Sequence, residues 1–364
     1  MRIEMFIKNV LFDCRKSGNW YNSYKGVVNM CTALSFNGYG HYFGRNLDLE
    51  YSYQEAVTVT PRNYPLSFRK KPVNHNHYAI IGMATIADGY PLYYDATNEH
   101  GLSMAALNFP GSAVYYTEIA AKDNIAPFEV IPWILSQCRN IGEARRVLDR
   151  INIVRVDFSD SFPVTPLHWM IADKDCSIVL ETLAGGIQIY ENPVGILTNS
   201  PPFDFHMQHL SNYLNLTSME PTNRFSKDLP LNSYSRGMGA IGLPGDLSSS
   251  SRFVRCAFTK WNSPRSESEE DAVSQFFHIL GSVAQPRGCV IADGKYEKTV
   301  YSSCCNTTSG TYYYTTYENS RITGISLISE NLNDNKLISY PVRGIQDIYW
   351  ENQRKDLCNA PSQR

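Results

Sequence analysis

The sequence predicts an α+β protein with helices packed outside two stacked antiparallel sheets. Short strand-like runs recur between close-set turn signals, and two helical blocks separate these runs. The composition, 43% hydrophobic and 19% charged over 364 residues, supplies a sizeable core for one large domain or two tightly joined lobes.

The elements follow in order. Cys31 to Phe36, the turn Asn37-Gly38-Tyr39-Gly40 and His41 to Asp48 read as a β-hairpin, because Asn-Gly tolerates the positive φ such turns need. A second strand cluster runs from Tyr78 to Phe109, punctuated by Asp88-Gly89 and Asn98-Glu99-His100-Gly101. A third runs from Leu167 to Thr198, with turns at Asp173-Lys174-Asp175 and Ala184-Gly185-Gly186. Phe128 to Ile151 is read as helical, with Ala144, Val147, Leu148 and Ile151 on one face after a break at Asn140 to Gly142. Leu247 to Ser251 reads as a loop or capping stretch. Ser266 to Val283 reads as a second helix, opening on Glu267, Glu269, Glu270 and Asp271, which suit the positive end of a helix dipole. Strands return from Gly288 to Ile328.

Charge and composition exclude several functions. The formal net charge is −2 and no long lysine or arginine run exists, so a nucleic-acid partner is set aside. Charge interrupts Met1 to Lys8 before any apolar stretch of signal-peptide length, and no run approaches the roughly 18 apolar residues of a membrane span. The nine cysteines (Cys14, Cys31, Cys138, Cys176, Cys256, Cys289, Cys304, Cys305 and Cys358) contain no CxxC pair and no zinc-type spacing. Reduced thiols in a cytoplasmic setting are the simplest reading, with the vicinal pair Cys304-Cys305 taken as structural.

The chemistry centres on Cys31. A thiol with a pKa near 8.5 is only weakly ionised at neutral pH and needs a base beside it. An α-amine, with a pKa of about 7.7 to 8.0, is such a base, and an N-terminal cysteine carries both groups. As numbered, Cys31 follows Met30 and its nitrogen is an amide. Arg45 and Asp48 lie one hairpin away, on opposite faces of an extended strand unless the strand bulges or ends there.

Five separated motifs complete the pattern: Met30-Cys31-Thr32; Gly44-Arg45-Asn46-Leu47-Asp48; Asn98-Glu99-His100-Gly101-Leu102 leading to Leu107-Asn108-Phe109-Pro110; Leu197-Thr198-Asn199-Ser200-Pro201; and Leu243-Pro244-Gly245-Asp246 with Ser251-Arg252-Phe253. From Cys31 to about Ile328 the chain resembles the choloylglycine hydrolases, the bile salt hydrolases and penicillin V acylases among N-terminal-nucleophile (Ntn) hydrolases. The resemblance implies a four-layer αββα sandwich, a homotetramer, and hydrolysis of glycine- or taurine-conjugated bile acids with no cofactor and no metal. It gives Cys31 the attack on the amide carbonyl and its freed amine the role of base. Asp48 would hold that amine, and Arg45 would sit near the sulfur. Asn199 and a backbone N–H near Asn108 would donate to the oxyanion, and Arg252 would lend positive charge. Asparagine at position 108 favours bile salt hydrolases, since penicillin V acylases usually carry tyrosine there. The 24 tyrosines include candidates for an apolar steroid pocket. The alternatives are a penicillin V acylase, an acyl-homoserine-lactone acylase, or an inactive binding relative whose Cys31 stays internal.

The resemblance also reads Pro202 to Leu229 as an assembly loop; His206 and His209, three apart on an expected helix with no third ligand nearby, are read as packing or interface residues rather than metal ligands. Residues 31–346 are expected to form the Ntn-hydrolase domain, with 347–364 as a tail. Residues 1–30 are expected to be a removed segment, a real extension of an inactive relative, or the product of a mistaken start. Met30-Cys31 has the arrangement from which an initiator methionine is lost. Lys25-Gly26-Val27 can also be encoded by a purine-rich tract at ribosome-binding distance from Met30, which would leave 334 residues beginning at Cys31. Residues preceding Cys31 are expected to crowd or cover the mouth of the pocket, or to be poorly defined.

Overall fold

The computed structural model describes residues 30–292 and 294–352. Of the segment preceding Cys31, only Met30 falls among them, so the expectation that it covers the pocket lies outside the described residues, as do Cys14 and Cys358.

In chain order the strands are β1 (Cys31–Asn37), β2 (His41–Leu49), β3 (Ala56–Thr60), β4 (Ile80–Ala87), β5 (Tyr90–Asn98), β6 (Ser103–Asn108), β7 (Asp123–Ile125), β8 (Ile151–Ile153), β9 (Leu167–Ala172), β10 (Ser177–Leu183), β11 (Gly186–Glu191), β12 (Ile196–Leu197), β13 (Val290–Ala292), β14 (Lys295–Asn306), β15 (Thr311–Thr316), β16 (Asn319–Ser326) and β17 (Ile338–Pro341). The helices are α1 (Val130–Leu135), α2 (Ile141–Leu148), α3 (Phe203–Leu210), α4 (Ser249–Trp261) and α5 (Glu269–Gly281). One antiparallel sheet runs β12-β1-β2-β14-β15-β16, with β13 beside β14. The other runs β11-β10-β9-β6-β5-β4-β3-β17. No helix among the described residues is long and apolar enough to cross a membrane.

Side-chain alternation explains why the second sheet reads as nearly continuous apolar runs: both of its faces are covered. Ile81, Met83, Ala105, Leu107, Met170 and Val179 enter the core between the sheets. Their neighbours Ile80, Ala84, Met104, Ala106, Trp169 and Ile178 face the other way, onto α1 and α2. Phe253 and Ala257 of α4 and Phe276 and Ile279 of α5 pack with Leu34 and Phe43 of the first sheet. The result is the expected four-layer αββα sandwich.

Several local expectations change. The helical block breaks at Ser136 to Asn140, where Asn140 caps α2 by accepting the Glu143 N–H. Ile151 leaves the helix and pairs in parallel with Asp123 as part of β8. The Ser-rich stretch caps a whole helix: the Ser248 side chain accepts the Ser251 N–H, and α4 continues to Trp261. The sequence reading missed that helix, along with β3 and β17. The first hairpin turns without positive φ at Asn37 or Gly38. Gly38 is needed for close approach, since a Cβ there would press against Phe36, Ala272 and Ser266.

Candidate active site

Cys31 is the first residue of β1, opposite Leu47 of β2, while Ala33 lies opposite Arg45. Pairing is unbroken through this part of β2, so Arg45 and Asp48 do leave opposite faces. They both lie beside Cys31 because β1 begins there. The Asp48 N–H donates to the Met30 carbonyl at 3.0 Å, which puts Asp48 directly across from the Met30–Cys31 peptide. The one irregularity near this point is in β14, between Thr299 and Tyr301. Gly44 lets β14 lie close, as any Cβ there would drive into the Ser303 carbonyl.

The Arg45 guanidinium lies buried between the sheets. Its Nη1 donates to the carbonyls of Ala106 and Tyr94, the latter at 3.1 Å. Burial works against its charge, but Cys31, Tyr301, Asp95 and Asp48 outweigh that and hold it more firmly protonated. Asp95 is anchored by the hydroxyls of Tyr301 at 2.7 Å, Tyr312 at 2.7 Å and Ser303 at 3.0 Å.

Asp48 is fully buried. Its Oδ1 accepts from Thr299 Oγ1 at 2.6 Å, and its Oδ2 has no partner among the described residues. Burial raises this carboxyl to about 6 against the pull of Arg252, Thr299 and Arg45. A buried carboxylate oxygen without a donor is costly, by about 1–3 kcal/mol. A cationic amine at this place would remove that penalty.

Asn199, just beyond β12, and Arg252, in the first turn of α4, meet at Cys31. The Asn199 Oδ1 accepts the Cys31 N–H at 2.8 Å and the Arg252 Nη2 at 2.7 Å, and its Nδ2 donates to the Asn108 carbonyl at 2.8 Å. Arg252 also donates to the Cys31 carbonyl, to Thr32 Oγ1 at 2.7 Å and to the Leu247 carbonyl at 3.0 Å. Burial lowers its pKa, and Asp48 and Cys31 oppose that shift. All six predicted site residues therefore converge: Cys31, Arg45, Asp48, Asn108, Asn199 and Arg252.

With Met30 in place, Cys31 is not an activated nucleophile. Burial pushes its thiol above the ordinary value. Arg45, the Asp48 backbone N–H and Arg252 pull the other way without overcoming it, and the Asp48 charge adds to the upward push. The Cys31 nitrogen is an amide already bonded to Asn199.

Sequence reasoning missed three participants. Ser249 accepts the Asn199 N–H at 2.9 Å and donates to the Asn199 carbonyl at 2.9 Å. His206 places Nε2 2.9 Å from the same carbonyl and stacks on Phe253; burial lowers its pKa to about 4, so it is neutral near pH 7. Its packing role was expected, but its contact with Asn199 was not. Glu297 accepts the Met30 N–H at 2.6 Å, and burial raises it to about 8. Nothing in the sequence spacing marks a residue 267 positions away as a neighbour of Met30.

Among the described residues no group of three or more His, Cys, Asp or Glu side chains is arranged to hold a metal ion. A cleft of about 730 Å³ lined by Ser35, Asn37, Asp173, Lys260, Trp261 and Arg265 opens at the turn end of β1, the opposite end from Cys31. It is separate from this site.

Comparison with known proteins agrees with the architecture. Residues 31–340 match the family model of linear amide C–N hydrolases, choloylglycine hydrolase family. The chain is 54% identical over 324 residues to a bile salt hydrolase/transferase of Lactiplantibacillus plantarum, covering 89% of this chain and 100% of the relative. A crystal structure of a cysteine-to-alanine mutant of the conjugated bile acid hydrolase from Clostridium perfringens superposes with a TM-score of 0.82 at 36% identity, covering 88% of this chain and 100% of that one. The penicillin V acylase of Agrobacterium tumefaciens shares the fold, with a TM-score of 0.67 at 19% identity over 85% of this chain and 90% of that one. The chain belongs to the choloylglycine hydrolase family of linear amide C–N hydrolases.

Proposed function

We propose that this enzyme hydrolyses the amide bond of glycine- or taurine-conjugated bile acids, with Cys31 as nucleophile once Met30 has been removed. The observation that carries this reading is Asp48 Oδ2, without a partner among the described residues and belonging to the residue whose N–H pairs with the Met30 carbonyl. Removal of Met30 turns the Cys31 amide into an amine next to that oxygen. The match of the family model from Cys31 onward supports the same starting point.

In the proposed reaction the amine takes the thiol proton and Cys31 Sγ attacks the substrate carbonyl. Asn199 and backbone N–H groups at the end of β6 donate to the oxyanion, with Arg252 supplying positive charge behind Asn199. The C–N bond breaks, the amino acid leaves with the proton held by the ammonium, and a thioester remains on Cys31. Water, deprotonated by the same amine, then cleaves the thioester and releases the bile acid. No step calls for a cofactor. Bile salt hydrolases and conjugated bile acid hydrolases among the relatives, together with Asn108, favour bile acids over penicillin V.

The test combines intact mass with rates on glycocholate, taurocholate and penicillin V. Protein made from its own gene should start at Cys31 and favour the bile salts, and Cys31→Ala should fold without turning over. A mass beginning at Met1 with no turnover would instead establish the inert reading, which the burial of Cys31 and the hydrogen bond from its amide N–H to Asn199 favour for the unprocessed chain.

The finer proposals have their own support. Leu214, Met219, Phe225 and Tyr234 are strongly exposed in the stretch after α3, as expected of a tetramer contact. The seven described cysteines are unbridged, with Cys304 and Cys305 buried side by side, in keeping with the cytoplasm. The hydrolase domain is assigned to 31–346, and β17 at 338–341 closes an edge of the second sheet.

A further inference from the structure

Behind the oxyanion residues lies a fully buried acid–imidazole pair. His168 of β9 and Glu181 of β10 are both 0% exposed, with Nδ1 3.0 Å from Glu181 Oε1. The His168 Nε2 lies 2.8 Å from the carbonyl of Thr198, the residue before Asn199. The same Glu181 Oε1 accepts the Phe203 N–H at 3.0 Å, so the pair grips both ends of the segment from Thr198 to Phe203. In β6, Leu107 pairs with His168, and the Phe109 ring stacks flat on the imidazole with centroids 4.2 Å apart and planes at 8°. Two residues that flank Asn108 and one end of the Asn199 segment thus meet on His168, and Glu181 takes the segment's other end.

The hydrogen bonds dictate the imidazole's state. A carbonyl accepts only, so Nε2 carries a hydrogen toward Thr198. One proton is shared across the contact between Nδ1 and Glu181. Removing the acid's proton-sharing capacity while keeping its shape therefore attacks the grip itself.

We infer that His168 and Glu181 form a positioning pair that holds Asn199 against Asn108 at the distance oxyanion stabilisation requires. Neither touches substrate. They set the spacing between two donors carried on different sheets, and their effect falls on the rate of amide cleavage more than on the Cys31 thiol, since Asn199 meets Cys31 at its nitrogen. The inference rests on the hydrolase reading above.

Glu181→Gln is the test variant. Its amide oxygen still accepts from Phe203 but forces the hydrogen onto Nδ1, leaving an Nε2 lone pair against the Thr198 carbonyl. In the enzyme beginning at Cys31, kcat should fall by about 10-fold or more with KM near the parent value, because donor placement acts in the transition state. The rate of Cys31 alkylation by iodoacetamide should stay within about twofold of the parent. Unchanged kcat overturns the inference, and so does a parallel loss of alkylation and turnover, which would mark a general collapse of the site. If Glu181→Gln does not accumulate, His168→Gln and His168→Leu decide. Gln can still donate to Thr198 and should retain several-fold more activity than Leu; equal activities overturn the inference. Failure of the hydrolase reading looks different, because the parent beginning at Cys31 would then show no turnover of conjugated bile salts, or turnover that survives alkylation of Cys31.

Discussion

Arg252 is the most heavily committed side chain of the site, since one guanidinium meets the Cys31 carbonyl, Thr32, Asn199 and Leu247. A lysine keeps the charge but cannot span these acceptors. Arg252→Lys is therefore expected to lower kcat by about 10-fold or more, and Arg252→Leu by about 100-fold, in steady-state assays with folding checked by circular dichroism. Asp48 gives a pH signature. It sits at about 6 while Cys31 is internal, and an ammonium against Oδ2 favours the carboxylate and moves this value down. Turnover should fall as pH drops through a midpoint below about 6, where protonated Asp48 releases the amine. Asp48→Asn should be slow at every pH and lack that acid limb. An unaltered acid limb in the variant would remove Asp48 from this role.

Helix α4 places Arg252 in its first turn, so the cap at Ser248 stabilises the helix and also aims the guanidinium. Losing a serine N-cap costs about 1 kcal/mol. Ser248→Ala should lower Tm by a few degrees and kcat several-fold, measured by thermal unfolding and initial rates. The strand contact at Gly44 is less forgiving, because β14 backbone occupies the space of a Cβ. Gly44→Ala should push β14 off β2 and sharply reduce the yield of folded protein. A well-folded, active Gly44→Ala would show that the two strands can separate without loss. The hairpin, the strand clusters and the cap at Ser248 were legible because turn residues and alternation are local. α4 was not: its buried face, with Phe253, Val254 and Cys256, was hidden behind the serine run that starts it. Ile151 shared the helical period by coincidence, and pairing with β7 decided its state.

At the scale of the molecule, Glu297 ties the C-terminal half to Met30, the residue before Cys31. Its carboxyl lies at about 8, raised by burial and by Asp48 and Glu50 over the relief given by the Met30 N–H. A carboxyl raised above its unfolded value of about 4.5 contributes stability that is complete below that value and is lost as pH rises through about 8. Protein that retains Met30 should lose Tm steadily between pH 5 and 9, and Glu297→Gln should flatten that decline. A decline as steep in the variant would assign it to other groups.

The sequence by itself named the six residues that the fold brings together around Cys31 and the two-sheet, helix-covered class, because motif identity and side-chain period are properties of the chain. It also raised the question of Met30, since an internal cysteine has no amine. Only the tertiary structure decided how Arg45 and Asp48, on opposite faces of β2, both come to lie beside Cys31: Arg45 pairs with Ala33 and Asp48 with Met30, where β1 begins. It alone brought Glu297, Ser249, His206 and the His168–Glu181 pair to the site. Their partners lie between 7 and 267 residues away, and sheet stacking, which no local pattern encodes, closes those distances.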